Sequence, residues 1–288
     1  MRTVGISLAA PAATVACAID WGSNSNQAEI VSWFEDLDDD NLTEFMCDPS
    51  VLKVGIDAPF GWPIDIVDPV DSYQAGGFDH SDDSVMERSP IVTSGIDARG
   101  QRTGGYEYIR ATDWNLWCQF GEIDQSMWFL TRSWRKCFYR TRRSEELLIR
   151  LSHESGTEID RTGEGRCVEV CPGAALIRWG IEYRGVLHDY YRSGINKSQM
   201  DFQRIVINGL KERLESMLFG LEASVDHCIG MYHGGPRIDA LVSALVARSL
   251  AVGNCEPIPS DSQPLAEVEG WVRLPKGPDL GTDLMPSS

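Results

Sequence analysis

Three carboxylates in this chain stand where a carboxylate is costly unless it has a partner. Asp57 closes the apolar run VGID in VGIDAPFGWP (Val54 to Pro63). Glu169 lies in CVEVCP (Cys167 to Pro172), another short apolar run stopped by Pro. Asp239 sits near the start of RIDALVSALVAR (Arg237 to Arg248), beside the stripe of Ile238, Leu241, Val242, Leu245 and Val246. That stripe recurs at i, i+3, i+4, i+7 and i+8, the spacing of a core-facing helix. A single acid at a helix start is ordinary, since the helix dipole favours it there. Two acids at the ends of buried strands, plus one at a helix start, describe a convergent acidic site. Oxygen ligands of this kind suit Mg²⁺ or Mn²⁺.

A second group of residues is basic. Arg132, Lys136, Arg140 and Arg143 step by four, four and three, so a helix would align them in one stripe. Such a stripe is either a solvated helix face or a face that tracks phosphates. It falls in the one net-positive stretch of an acidic chain of formal charge -17: residues 101–150 hold 9 bases against 6 acids, whereas residues 1–100 hold 4 bases against 18 acids. An overall charge of this sign repels polyanions at long range and disfavours non-specific nucleic-acid binding. Any such role must rest on the local basic segment or on a bound metal.

The elements that would position these residues read as α/β. Residues 3–9 and 14–21 alternate like two strands of a hairpin, a third strand falls near 28–34, and an acidic helix over 39–47 leads into the strand ending at Asp57. Residues 64–105 are polar and aperiodic and read as a long exposed insertion. Residues 106–152 are helical in pattern, followed by the strand at Glu169, helices near 173–179 and 199–219, and the Asp239 helix. The tail EVEGWVRLP (Glu267 to Pro275) alternates like an edge strand. The glycine pairs at 76–77, 104–105 and 234–235 read as turns.

Eight cysteines at irregular spacings form no paired zinc motif and read as buried thiols of a reducing cytoplasm. Cys167 and Cys171 flank Glu169 at period two, on one side of one strand. The N-terminus superficially imitates a lipoprotein signal ending at Cys17, but Pro11 breaks its apolar run and a strand pattern continues past the cysteine, so a cytoplasmic location is expected. No stretch approaches the ~18 apolar residues of a membrane span.

GIDAPFGWP, YIRATD (Tyr108 to Asp113), VEVCPGAAL, RIDALVSAL and EGWVRLP, in this order, resemble the motif set of domain-of-unknown-function family 429. The resemblance runs from the first strand to residue 275 and is least close over 64–105. That family is similar to RNase H-like proteins and is treated as a family of predicted nucleases. The resemblance therefore implies a mixed five-stranded sheet flanked by helices, a single RNase H-like domain over 1–288 with an insertion at 64–152, and a divalent-metal-dependent nuclease or other phosphodiester hydrolase. Carried over, Asp57, Glu169 and Asp239 become metal ligands for Mg²⁺ or Mn²⁺, with a two-metal hydrolysis implied. Arg110 and Asp113 match the family's Arg-x-x-Asp pattern, either clamping a phosphate and orienting a ligand or forming an i, i+3 helix ion pair. One departure weakens the implied site: the first strand reads GISLA, with Ser7 where an RNase H-like first strand presents Asp. The alternative is thus a catalytically weakened binding protein that acts through nucleic-acid or protein partners. An actin-like phosphotransferase shares the sheet but would need a glycine-rich phosphate loop, and no such motif is seen.

Overall fold

Strict alternation in the first strand decides which face of the sheet meets which helix. In the computed structural model, Val4 and Ile6 of β1 (Arg2–Ser7) turn to one face, while Thr3 and Gly5 turn to the other. The structure describes residues 1–22, 28–63, 95–96, 102–103, 110–120, 134–181, 197–214 and 234–286.

β1 pairs antiparallel with β2 (Val15–Trp21), which pairs antiparallel with β3 (Ala28–Glu35). A 3₁₀ turn at Pro11–Ala13 closes the β1–β2 hairpin. The helix α1 (Asp39–Cys47) follows, its N-terminus capped by Asp38 accepting from the Asn41 amide at 2.9 Å. It leads into β4 (Val51–Asp57), parallel to β1. Within the expected insertion, the described residues hold a two-residue antiparallel ribbon, β5 (Gly95–Ile96) with β6 (Arg102–Thr103), and the helices α2 (Ala111–Phe120) and α3 (Trp134–Ser155). The rest of 64–109 lies outside the described residues. β7 (Cys167–Glu169) joins β4 in parallel and completes a sheet of order β3-β2-β1-β4-β7. The result is an open, mixed five-stranded sheet flanked by helices, as an RNase H-like fold requires.

α4 (Pro172–Arg178), α5 (Lys197–Leu214) and α6 (Gly234–Ala251) cover one face of the sheet, with Val15, Cys17, Ile19 and Val168 beneath them. α1 and α3 cover the other, over Val4, Ile6, Val54, Ile56 and Cys167. The short helices α7 (Gln263–Glu269) and α8 (Leu280–Asp283) close the chain's path. The tail is therefore helical as far as Glu269, and beyond it single bridges are strand-like, Val272 parallel to Glu169 and Pro275 antiparallel to Cys255. Among the described residues, no helix is long and apolar enough to cross a membrane.

The glycine pair 234–235 opens α6 rather than forming a turn before it, so Asp239 stands in the second turn, where it gains little from the helix dipole. Residues 238, 240–249 are buried almost without exception, so α6 is the central helix of the molecule. It reaches that position because β1 and β4 set glycines, Gly5 and Gly55, beneath it. A Cβ on Gly5 would collide with the Ala240 carbonyl and the Ala244 amide nitrogen, and one on Gly55 with the Ser243 carbonyl. The Thr3 hydroxyl donates to the Ala244 carbonyl at 3.1 Å and fixes the lengthwise position.

Candidate functional site

The carboxyl-terminal edge of β1, β4 and β7 collects the acids, but the pleat sorts them onto two faces. Ser7 and Asp57 are partners in the β1–β4 register, two residues beyond Gly5 and Gly55, so they share the α6 face. Ala240 lies over Gly5 and Ala244 beside Thr3, so α6 runs antiparallel to β1 and β4. Asp239 is four residues before Ser243, a rise of about 6 Å. Asp57 is two residues past Gly55, a rise of about 6.6 Å. These two steps run the same way from the contact of Ser243 with Gly55, so Asp239 comes level with Asp57 and Ser7. Asp57 and Asp239 are half-buried and Ser7 is buried. The Cys171 thiol lies at the start of α4. Its pKa is pushed up to about 12, first by burial and then by the negative charges of Asp57, Asp113 and Asp239.

Glu169 does not join this group. It is level with Ile56, not Asp57, and Ile56 and Cys167 both belong to the core under α1 and α3. A one-residue offset in register is a change of face. Both its oxygens are occupied: Oε1 accepts from Arg110 Nη2 at 2.7 Å, and Oε2 accepts from Arg110 Nη1 at 3.0 Å and from the Phe60 amide at 2.9 Å. Arg110 also grips Asp113 through Nε and Nη2, both at 2.9 Å, and donates to the Glu269 carbonyl at 3.1 Å. Burial opposes the Arg110 charge, but Asp113 and Glu169 outweigh it and keep the guanidinium ionised. Burial raises the Glu169 carboxyl above its ordinary value against the pull of Arg110. The i, i+3 ion pair of Arg110 with Asp113 is thus real, and it extends into a buried cluster with no guanidinium donor left for a phosphate.

The tail motif EGWVRLP belongs to this cluster, which its strand-like pattern did not reveal. The Glu269 carboxylate accepts from the Ala111 amide at 2.6 Å, and Thr112 Oγ1 accepts from the Val272 amide at 2.9 Å. Gly270 has φ of 84°, and a Cβ there would stand 2.6 Å from Glu169 Oε2 and 2.9 Å from Phe60 Cβ. Only glycine meets both the conformation and the space.

α3 grips the loop that follows Asp57. Arg140 donates to the Asp57 carbonyl and holds its carboxylate at 2.7 Å, the Ser144 hydroxyl donates to the Pro59 carbonyl, and Trp62 Nε1 donates to Glu145 at 2.9 Å. The expected basic stripe therefore divides. Arg132, and the side chain of Lys136, lie outside the described residues. Arg140 faces Asp57. Arg143 is 3% exposed and turns inward to Asp39 at 2.6 Å, Thr14 Oγ1 at 2.5 Å, the Leu37 carbonyl at 3.0 Å and the Ala9 carbonyl. It ties the β1–β2 hairpin and the start of α1 to α3, and leaves the phosphate-facing set, because burial and four acceptors absorb its charge.

Among the described residues, no group of three or more His, Cys, Asp or Glu side chains is arranged to hold a metal ion. The three-carboxylate centre expected from Asp57, Glu169 and Asp239 is not formed, because Glu169 is on the other face and spent on Arg110. What remains on the α6 face is a hard-oxygen set, Asp57 and Asp239 with the Ser7 hydroxyl. That set fits Mg²⁺, which dehydrates reluctantly and is commonly held by one or two carboxylates together with substrate phosphates rather than by an all-protein cage.

In comparison with known proteins, the chain matches the family described as protein of unknown function (DUF429) over residues 9–264 and belongs to it. No curated protein and no solved structure matches.

Proposed function

We propose that this member of the family is a divalent-metal-assisted phosphodiester hydrolase working at the edge of β1 and β4. The observation that supports the reading is the Ser7–Asp57 register together with the lengthwise position of α6, which sets Asp239 level with that pair along the strands. Asp57 and Asp239 would hold Mg²⁺ or Mn²⁺. Such an ion, when bound, acts as a Lewis acid on the phosphoryl oxygen and lowers the pKa of its water. The Ser7 hydroxyl adds a neutral oxygen ligand or donates to a phosphate oxygen. The Arg110 cluster contributes rigidity, because it locks the loop after Asp57 to β7 and α7. The phosphate-tracking role of the basic helix narrows to Arg132, Lys136 and Arg140. A cytoplasmic location is part of the same reading, supported by cysteines that remain thiols among the described residues.

The neutral Ser7 favours a second reading, a weakened RNase H-like protein that binds nucleic acid or a protein partner without hydrolysing a substrate. One experiment separates the two. Wild-type protein and Asp57→Asn are incubated with DNA and RNA oligonucleotides in Mg²⁺ or Mn²⁺, with and without chelator, while binding and cleavage are followed in parallel. Cleavage that chelator and Asp57→Asn both abolish supports hydrolysis, binding without cleavage supports the second reading, and neither binding nor cleavage overturns nucleic-acid hydrolysis and nucleic-acid binding alike.

A further inference from the structure

The arginines around this edge differ in how they are held. Arg110 and Arg143 are 2% and 3% exposed and are enclosed by fixed partners. Arg140 has a side chain 29% exposed, beside Tyr139 on the outer surface of α3, and it is paired with an Asp57 carboxylate that is itself 17% exposed. One guanidinium nitrogen, Nη2, meets two oxygens of one residue, the Asp57 carboxylate and the Asp57 carbonyl. An oxygen of a substrate phosphate is an equivalent acceptor for that nitrogen. The positive charge also stands at the carboxylate that a divalent cation would need.

We infer that Arg140 is the residue that couples substrate phosphate to the metal site. This rests on the hydrolase reading above. Without substrate, Arg140 neutralises Asp57 and opposes the entry of a cation. When a phosphate arrives, the guanidinium transfers to it, the Asp57 carboxylate is released, and phosphate and cation enter together. The two ligands therefore raise each other's affinity by one and the same factor, as linkage demands. The site is selective for an anionic phosphoester and holds little cation in its absence. Arg140 is in these terms a substrate-binding residue, distinct from the ligands Asp57 and Asp239.

Calorimetric titration of full-length protein with Mg²⁺, alone and with saturating inorganic phosphate, tests this in the wild type, Arg140→Ala and Arg140→Lys. In the wild type, phosphate should tighten Mg²⁺ binding by about fivefold or more. Arg140→Ala should bind Mg²⁺ alone about three- to tenfold more tightly than the wild type, because an opposing partially exposed pair is gone. It should also lose the gain from phosphate. Arg140→Lys keeps the charge but not the planar fork, and should restore the weak binding of Mg²⁺ alone with only part of the gain. Equal Mg²⁺ affinity and an equal phosphate gain in all three proteins would overturn the role of Arg140 while leaving the metal site in place. No Mg²⁺ binding in any of them, with or without phosphate, would overturn the hydrolase reading itself.

Discussion

Asp57 and Glu169 end neighbouring parallel strands one register step apart, and for that reason they face opposite sides of the sheet. Asp57 stands at a partly open edge, where its carboxylate meets Arg140 of α3. Glu169 is buried and closed in by Arg110, Phe60 and Gly270. Two acids alike in sequence context thus have separate work, one as a candidate ligand and one as the anchor of a buried ion cluster.

The separation can be read by calorimetry. Asp239→Asn and Asp57→Asn should each weaken Mg²⁺ or Mn²⁺ binding about tenfold or more, as loss of one of two charged oxygen ligands implies. Glu169→Gln should leave that affinity nearly unchanged while lowering stability. A Glu169→Gln protein that folds and loses metal binding would return Glu169 to the ligand set.

Arg110 is the only described guanidinium in contact with both Asp113 and Glu169, and Glu269 is buried alongside. Arg110→Met should cost about 3–5 kcal/mol in denaturant unfolding, since it leaves buried carboxylates uncompensated. The double variant Arg110→Met, Glu169→Gln should recover part of the loss. A loss below about 1 kcal/mol for the single change would mean that water reaches the cluster and screens it.

The pH dependence of stability has a definite sign at Glu169. Burial raises its carboxyl in the folded state above 4.5, so the folded state binds the proton more readily than the unfolded chain. Its contribution is complete below 4.5 and declines as the pH rises through the folded value. Subtracting the pH–stability curve of Glu169→Gln from that of the wild type should reveal this decline. A difference curve that rises with pH over that interval would show the carboxyl lowered rather than raised.

Ser7→Asp should tighten metal binding, because it places a full charge at the register partner of Asp57. Without a cation the new acid is buried beside two others and should cost several kcal/mol, about 2–5 in thermal or denaturant unfolding. Saturating Mg²⁺ should return that stability. Unfolding that Mg²⁺ does not relieve would remove position 7 from the site.

Much of this was legible in the order of residues. The hairpin, the strand ending at Asp57 and the apolar helix bearing Asp239 all follow from local periodicity and turn residues, while the mixed five-stranded sheet came from the family resemblance. Register was not, because the pairing of Ile56 with Glu169 depends on how two distant segments slide past each other, and one residue of slip reverses the face. Spacing likewise could not distinguish Arg140 from Arg143. The acceptors that draw Arg143 inward, the carbonyls of Ala9 and Leu37, are backbone atoms more than a hundred residues away and leave no mark in the helix pattern. The glycine pair at 234–235 looked like a turn because glycine is a weak helix former, yet tertiary packing of α6 overrides that preference.

The bare seam where α6 lies on Gly5 and Gly55 has a consequence for how this protein can change over time. At Gly5 and Gly55 the distance from Asp239 to the strand ends is set by main chain against main chain, with the Thr3 hydroxyl fixing the lengthwise position. Core residues elsewhere can be exchanged for others of similar volume without altering that spacing. The edge of the sheet is thereby insulated from sequence drift in the interior, so long as two glycines persist. Distant relatives are then expected to diverge widely in their cores and still superimpose at this corner.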